Sequence, residues 1–230
     1  MPTTRCVSSP RCSTDEVYGS LTEGSASEDD PVQPGVPYAA SKAASDLVAL
    51  SHLQTYGLPV CVTGSSNNYG PHQFPEKVIP LFTTRLLRGE KVTLHGQGQH
   101  VQNWLHVEDN CAGVELVLRD GNPGKIYNLG GATDLTGRDL AAKLLTLCGK
   151  DRDSVTYLPD RPANDLRYSM HWDKVAALGF RPARDLDERL AESVDWYRRN
   201  PHRWAPLTRT SYAARTTRAT APAGEEVRVH

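Results

Sequence analysis

Two short segments near the start of the chain contain the side chains needed for proton transfer at an alcohol. The first is Thr14-Asp15-Glu16, a hydroxyl beside two carboxyl groups, and the second contains Tyr38 and Lys42. Because residues four apart on a helix share a face, Tyr38 and Lys42 are expected to be neighbours. A nearby ammonium lowers the pKa of a phenol, which is normally about 10, so the pair is suited to accept a proton from a substrate hydroxyl.

The adjacent carboxyl groups add acid–base chemistry to this pair. Neighbouring residues of a strand face opposite ways, so Asp15 and Glu16 can act on one substrate only if the chain turns here. Gly19 and the Gly-, Ser- and Pro-rich segment after it favour a turn. Two close carboxyl groups acquire different pKa values, which yields one acid and one base. Each motif taken alone also fits a purely structural role, as a solvated strand end or a helix that happens to carry Tyr and Lys.

Apolar periodicity predicts the elements that hold these groups. Strands alternate with helices, which indicates an α/β fold with a parallel sheet in its first part. The predicted helices lie at 38–56, 78–87, 109–118, 136–147 and 186–199, and the predicted strands at 58–63, 92–95, 104–107, 125–129 and 155–158. Asp109 and Thr136 are predicted N-caps, and Gly96-Gln97-Gly98 is predicted to be a hairpin turn.

The two ends of the chain differ in composition from the part between them. Residues 1–12 have no apolar period, and Pro10 is expected to interrupt any strand there. Residues 208–230 consist mainly of Thr, Arg and Ala and bury too little to offset the entropy of ordering, so they are predicted to be disordered. The folded domain is therefore expected at 13–207.

Bulk composition excludes several classes of protein. A net charge of -1 argues against a nucleic-acid partner. No apolar run approaches the roughly 20 residues of a membrane span, and no apolar signal core follows Met1. The five cysteines are odd in number and dispersed, which indicates free thiols in the cytoplasm and no metal site.

Several separate motifs resemble the dTDP-glucose 4,6-dehydratases, extended short-chain dehydrogenases/reductases of the NAD-dependent epimerase/dehydratase family that act on nucleotide sugars. These motifs are Ser13–Gly19, Tyr38–Asp46, Ser66–Pro71, Phe74–Lys77 and Trp104–Val107. The resemblance runs from about residue 13 to 207. The Asp-Glu pair directly after the threonine favours the dehydratases over the related epimerases and decarboxylases.

The resemblance implies a role for each reactive side chain. Tyr38 would take the proton of the glucose C4 hydroxyl while NAD accepts the hydride, with Lys42 adjusting Tyr38 and holding the nicotinamide ribose. Thr14 would orient the C4 oxygen. Glu16 would then remove the C5 proton, and Asp15 would protonate the departing C6 hydroxyl. Return of the hydride to C6 gives the 4-keto-6-deoxy sugar.

The resemblance also implies binding residues and a homodimer. Asn68 is expected near the cofactor, together with Tyr38 and Lys42. The expected substrate contacts, besides Thr14, are Asn67, Lys77, Val78, Thr93, Leu94, His95, Arg161 and Tyr168.

One feature of the family is absent from this sequence. The family opens with a strand and a Gly-rich turn whose amides hold the dinucleotide pyrophosphate. Here the first glycine is Gly19, and no G-x-x-G-x-x-G occurs. We therefore expect an N-terminally truncated member. It would contain an incomplete Rossmann-like parallel sheet without the nucleotide-binding half, plus a smaller α/β substrate-binding region at roughly 70–185.

This truncation implies little or no activity for the chain as given. Two alternatives stay open. One is a non-catalytic protein that binds a nucleotide sugar or dimerises, and the other is a truncated epimerase or decarboxylase.

Overall fold

The computed structural model describes residues 10–160, 166–183 and 185–208. Its strands are β1 Arg11–Thr14, β2 Val62–Ser65, β3 Asn67–Tyr69, β4 Val92–His95, β5 Val101–His106, β6 Ile126–Leu129, β7 Thr133–Thr136, β8 Val155–Leu158 and β9 Arg167–Tyr168. Its helices are α1 Pro37–Tyr56, α2 Val78–Leu87, α3 Val107–Asp120, α4 Gly137–Cys148, α5 Asp173–Ala176 and α6 Leu186–Arg199. Short 3-10 turns cover Asp15–Tyr18 and Arg152–Ser154, and a helical stretch covers 201–208.

The first sheet is parallel throughout and has the order β1-β2-β6. The long connections between its strands contain helices, as parallel pairing requires. Helix α1 contacts β1 and β2, whereas α3 contacts β2 and β6. This arrangement confirms the predicted α/β class with a parallel sheet in the first part of the chain.

A single residue, Ser66, carries the chain from the first sheet to the second. Its amide still donates a hydrogen bond of 3.1 Å to the Leu129 carbonyl of β6. The next residues form β3, which pairs in parallel with β5. Strand β5 also pairs with β7 and β9, and a separate two-stranded parallel sheet joins β4 to β8.

Three groups of buried apolar side chains hold the structure together. The largest packs α2, α4 and α6 around β4 and β5, with Leu86, Val92 and Leu144 fully buried. A second lies between α3, α5 and the first sheet and includes Leu129 and Phe180. The third, under α1 and the 3-10 turn, has only five buried members: Val17, Tyr18, Ala26, Ala43 and Met170.

Most predicted elements are present, and several match at both ends. Helices 78–87 and 186–199 and strands 92–95 and 155–158 have the predicted bounds. Thr136 caps α4, since its hydroxyl accepts the Asp139 amide at 3.0 Å. The helix predicted at 38–56 is observed as Pro37–Tyr56, one residue longer at its start.

Other predictions were wrong at particular residues. Strand β1 begins at Arg11, inside the segment 1–12 that was predicted to be irregular, because Pro10 precedes the strand and leaves its pairing with β2 intact. Helix α3 begins before Asp109, since His106 is its cap and accepts the Glu108 amide at 3.3 Å. The strand predicted at 58–63 is observed as Val62–Ser65.

The predicted hairpin at Gly96-Gln97-Gly98 is a turn between two strands that do not pair with each other. Strand β4 pairs with β8, whereas β5 pairs with β3, β7 and β9. The tail predicted to be disordered, 208–230, lies outside the described residues except for Thr208, which is the last residue of the helical stretch 201–208 and was wrongly included. Of the cysteines, the four in the described part of the chain are free thiols. None of the described helices is both long and apolar enough to cross a membrane.

Candidate active site

The segment Thr14-Asp15-Glu16 lies at the carboxyl end of β1, where the strand changes directly into a 3-10 turn. Thr14 keeps extended backbone angles and caps the turn, its hydroxyl accepting the Glu16 amide at 3.4 Å and donating to the Asp15 carboxylate at 3.1 Å. The turn that the two adjacent carboxyl groups require is therefore present.

Gly19 ends this turn in a way that only glycine permits. Its φ is +81°, and a Cβ there would stand 2.3 Å from the Gln33 carbonyl oxygen. The Gln33 amide in turn donates to the Val17 carbonyl at 3.0 Å. The segment after Gly19 thus returns to pack against the turn and holds it in place.

Burial separates the two carboxyl groups. Asp15 is only 3% exposed, whereas Glu16 is half-buried. Burial raises the pKa of Asp15 to about 7, with a smaller contribution from the negative charge of Glu16, against the lowering effect of the Thr14 hydrogen bond. One oxygen of Asp15 has no hydrogen-bond partner among the described residues. Asp15 can therefore carry a proton near neutral pH, and the predicted division into an acid and a base has a physical cause, chiefly desolvation.

Tyr38 and Lys42 lie on one face of α1, as predicted. The Lys42 ammonium lies 5.7 Å from the centroid of the Tyr38 ring, over its face. The pKa of Tyr38 is raised, first by partial burial and then by the charges of Glu16 and Asp15, while Arg11 lowers it. The predicted lowering of the Tyr38 pKa is therefore wrong in direction, since burial and the two carboxylates outweigh the effect of Arg11.

Asn67 and Asn68 lie on β3 and follow β2 at the same sheet edge as Thr14, whose partner across the sheet is Ser65. The Asn68 amide nitrogen donates to the Ser66 carbonyl at 3.1 Å, and its buried side-chain oxygen accepts no hydrogen bond from the described residues. The carboxyl ends of adjacent parallel strands are where α/β sheets bind ligands. Both asparagines thus follow, within three residues, the strand end that pairs with Thr14.

The remaining expected substrate residues lie in the second region of the chain. Lys77 is exposed and immediately precedes α2, whose first residue is Val78. On β4, Thr93 and His95 are half-buried, while Leu94 is 7% exposed and packs into the largest core. Leu94 is therefore available to a ligand only through its backbone.

Of the two remaining expected substrate contacts, Tyr168 and Arg161, the structure describes only Tyr168. Tyr168 is buried on β9 beside Gln102 of β5. Arg161 lies outside the described residues. In the described part of the chain, no group of three or more His, Cys, Asp or Glu side chains is arranged to hold a metal ion.

Asp46 is a site-proximal residue that the sequence reasoning missed. It is 7% exposed, accepts a hydrogen bond from the Ser13 hydroxyl and forms an ion pair with Arg11, whose Nε lies 3.5 Å away. It thereby ties α1 to the end of β1 immediately before Thr14. Its position four residues after Lys42, on the same helix face, was the available signal.

The sequence and the structure were compared with known proteins. The family model described as GDP-mannose 4,6 dehydratase matches residues 4–193. A dTDP-glucose 4,6-dehydratase of Streptomyces antibioticus is 54% identical over 196 residues, which cover 85% of this chain and 58% of that protein.

Two solved structures of nucleotide-sugar enzymes are similar to this chain. DesIV, a dTDP-glucose 4,6-dehydratase from Streptomyces venezuelae solved with NAD bound, has a TM-score of 0.84 at 49% identity. The match covers 86% of this chain and 62% of the DesIV chain. A UDP-glucose 4-epimerase from Thermotoga maritima has a TM-score of 0.78 at 28% identity. That match covers 82% of this chain and 62% of the epimerase chain. The chain thus spans about three-fifths of the length of these relatives.

Proposed function

The chain belongs to the GDP-mannose 4,6 dehydratase family, and on that premise we propose that its residues carry the catalytic cluster and sugar-nucleotide surface of a dTDP-glucose 4,6-dehydratase. The observation that carries the proposal is the buried Asp15 next to the half-buried Glu16, in a turn that faces the Tyr38 helix. Elimination of water needs an acid and a base in addition to the group that takes the C4 hydroxyl proton, whereas inversion at C4 does not. The greater identity to the dehydratases supports the same choice.

The proton steps follow from the positions of the side chains. Thr14 would orient the C4 oxygen, and Tyr38 would take its proton. Since the pKa of Tyr38 is raised in this structure, this step is disfavoured near neutral pH unless further positive charge reaches the phenol. Glu16 would remove the C5 proton, and Asp15, which holds a proton near pH 7, would donate it to the leaving C6 hydroxyl.

The residues present fit one end of NAD. Tyr38 is 53% exposed at the carboxyl edge of the first sheet, Lys42 lies beside it, and Asn68 has a buried oxygen that accepts no hydrogen bond in the described structure. These three would hold the nicotinamide end. NAD supplies the hydride acceptor when bound. No glycine-rich turn for the pyrophosphate occurs in the 230 residues, so we propose that this chain by itself binds NAD weakly and turns over slowly.

The substrate would extend from the catalytic cluster toward the second region. Asn67 and the start of α2 at Lys77 and Val78 would contact the sugar and diphosphate. The β4 segment Thr93–His95 and Tyr168 would lie at the nucleoside, together with Arg161 outside the described residues. We also propose a homodimer and a cytoplasmic location, the latter supported by the free thiols.

The test measures ligand binding and product identity separately. The 230-residue chain is titrated with dTDP-glucose by saturation-transfer NMR, and then incubated with dTDP-glucose and NAD. We expect saturable binding, weakened by Lys77→Ala and unchanged by Lys91→Ala, an exposed lysine elsewhere. We expect slow formation of the 4-keto-6-deoxy sugar, abolished by Tyr38→Phe and retained by Tyr56→Phe on the same helix. Inversion at C4 would identify an epimerase, and absence of nucleotide-sugar binding would overturn the proposal.

A second candidate is a non-catalytic protein that binds a nucleotide sugar or pairs with another copy. The exposed apolar side chains of α1 favour it, since Leu47 is 64%, Val48 58% and Tyr56 74% exposed. Binding of dTDP-glucose together with product-free incubations over days would select this candidate. Any Tyr38-dependent product would exclude it.

A further inference from the structure

Residues 20–26, which follow the catalytic 3-10 turn, lie alongside residues 166–171, which contain the proposed nucleoside contact Tyr168. We name these two stretches the turn segment and the Tyr168 segment. Where they begin, the Ser20 hydroxyl oxygen accepts the Leu166 amide at 2.8 Å, across 146 positions of sequence. The proposed nucleoside contact is thus joined to the segment that follows the proposed acid and base.

Backbone hydrogen bonds connect the two segments on both sides of Tyr168. Before it in the chain, the Arg167 carbonyl accepts the Leu21 amide at 3.0 Å. After it, the Ser169 carbonyl accepts the Ala26 amide at 2.9 Å. Because both sequence neighbours of Tyr168 are bonded to the turn segment, a displacement of the Tyr168 backbone is transmitted to that segment.

A small apolar core lies beneath this junction. Met170 of the Tyr168 segment and Ala26 of the turn segment are 3% and 2% exposed. They share this core with Val17 and Tyr18 of the catalytic turn. Since hydrophobic stabilisation grows with the apolar area removed from water, a core of five buried residues fixes the junction less firmly than the main core fixes its helices. The polar contacts therefore matter more here.

The Arg167 side chain connects the turn segment to the second sheet. Its Nε donates to the Gly24 carbonyl at 2.7 Å, while an amino group of the same guanidinium forms an ion pair with Asp134 of β7. Asp134 also accepts hydrogen bonds from Asn103 of β5, at 2.7 Å, and from Ser169, at 3.3 Å. Arginine suits this position because its planar fork presents donors in fixed, separate directions, whereas lysine presents a single ammonium.

We propose that Arg167 and Asp134 are positioning residues, which fix strand β9 relative to the catalytic turn so that the sugar of a bound nucleotide sugar reaches the two carboxyl groups. This inference rests on the proposed function, since it takes Tyr168 as a nucleotide contact. Both residues act through β9 and the turn segment, not on the reacting atoms. Such positioning matters because a misplacement of about 1 Å can cost on the order of 100-fold in rate.

The test measures hydrogen exchange at the Leu21 and Ala26 amides of the ¹⁵N-labelled 230-residue chain, with and without saturating dTDP. In the unmodified chain we expect dTDP to slow exchange at both amides by about 5-fold or more, because it orders the strand that accepts their hydrogen bonds. In Arg167→Lys, which keeps the positive charge, dTDP should still bind with a similar Kd but should slow exchange by less than about 2-fold. A purely structural role for Arg167 would change exchange equally with and without dTDP.

Two further variants make the result specific to the Arg167 bridge. Asp134→Asn keeps an oxygen acceptor for Asn103 but removes the ion pair, so it should uncouple the segments as Arg167→Lys does. Arg119→Lys, at an exposed ion pair of α3, is the matched control and should behave like the unmodified chain.

The outcomes separate this inference from the proposed function. If dTDP binds the unmodified chain without slowing exchange at Leu21 and Ala26, the positioning role is overturned and the proposed function stands. The same holds if Arg167→Lys and Asp134→Asn both retain the full slowing. Absence of dTDP binding to the unmodified chain would overturn the proposed function, and the positioning role with it.

Discussion

Helices α1 and α2 show two different relations between sequence and packing. Six of the ten residues of α2 are buried, whereas only three of the twenty residues of α1 are, namely Ala39, Ala43 and Asp46. Helix α2 contacts α4 and α6 and shares the largest core with them. Helix α1 packs over the smallest core and exposes apolar side chains. The sequence of α2 is thus determined by burial, whereas that of α1 is determined mainly by the groups it presents.

This difference has a physical consequence for the candidate site. Hydrophobic burial is the main stabilising contribution in a folded domain, and it is concentrated away from the residues proposed for catalysis. The catalytic turn rests on the smallest core and is held further by specific contacts: the hydrogen bonds of Thr14, the tight approach at Gly19 and the carboxylate of Asp46. Variants in the two regions should therefore fail in different ways.

The largest effect is expected from a cavity in the main core. Leu144 is fully buried in α4, so Leu144→Ala should lower the free energy of unfolding by up to about 5 kcal/mol, measured by urea denaturation. Leu118→Ala, at an exposed leucine of α3, is the matched control and should cost about 1 kcal/mol or less. Equal losses for the two variants would contradict the assignment of the main core.

The pH dependence of stability should identify Asp15. Its pKa is about 7 in the folded chain and 3.8 in the unfolded chain, so the folded state holds the proton more tightly. The contribution of Asp15 to stability should therefore be fully present below pH 4, fall by up to about 4 kcal/mol as the pH rises to 7, and then level off. Asp46, whose pKa burial also raises, adds to the same slope.

The comparison of variants isolates the contribution of Asp15. Asp15→Asn should remove most of the slope between pH 4 and 7 in thermal melts, while Asp29→Asn, at an exposed carboxylate, should keep it. A wild-type slope in Asp15→Asn would show that Asp15 is not the buried acid of the site.

A smaller effect is expected at the end of the catalytic turn. Gly19→Ala forces a positive φ on alanine and places its Cβ 2.3 Å from the Gln33 carbonyl oxygen, so it should cost about 2–3 kcal/mol. Gly57→Ala, where φ is +67° and no atom lies within 4 Å, should cost only about 1 kcal/mol. Faster hydrogen exchange at the Gln33 amide in Gly19→Ala, but not in Gly57→Ala, would show that the loss of stability arises at this contact. Equal losses of stability in the two variants would contradict the prediction.

The regions also differ in how much of them the sequence predicts. The bounds of α2 and α6 follow from apolar spacing, because the same residues that form the pattern are the ones buried. Strands β3, β7 and β9 have no such pattern. They exist because of pairing with β5, which brings Asn67 opposite Trp104 across 37 positions of sequence. Strand β1 was missed for the same reason, since it is stabilised by pairing with β2.

In the candidate site, too, the properties set by local spacing were predicted and those set by long-range contacts were not. Thr14, Asp15, Glu16, Tyr38 and Lys42 were predicted from local spacing, and the turn and the shared helix face follow from that spacing. The direction of the Tyr38 pKa could not be predicted in this way. It is set by burial and by charges that reach Tyr38 only through the fold. The same holds for Asp46, whose partners Ser13 and Arg11 lie more than thirty residues away.

The smallest effect on stability is expected on the exposed face of α1. Leu47→Glu and Val48→Glu remove no buried contact, so each should change the free energy of unfolding of the monomer by less than about 0.5 kcal/mol. If the proposed homodimer forms through this face, the same variants should shift the sedimentation coefficient from dimer to monomer, because a charge in an apolar interface costs far more than one in water. Leu118→Glu on α3 should leave the coefficient unchanged. A dimer that survives both α1 variants would mean that α1 exposes these side chains for another reason.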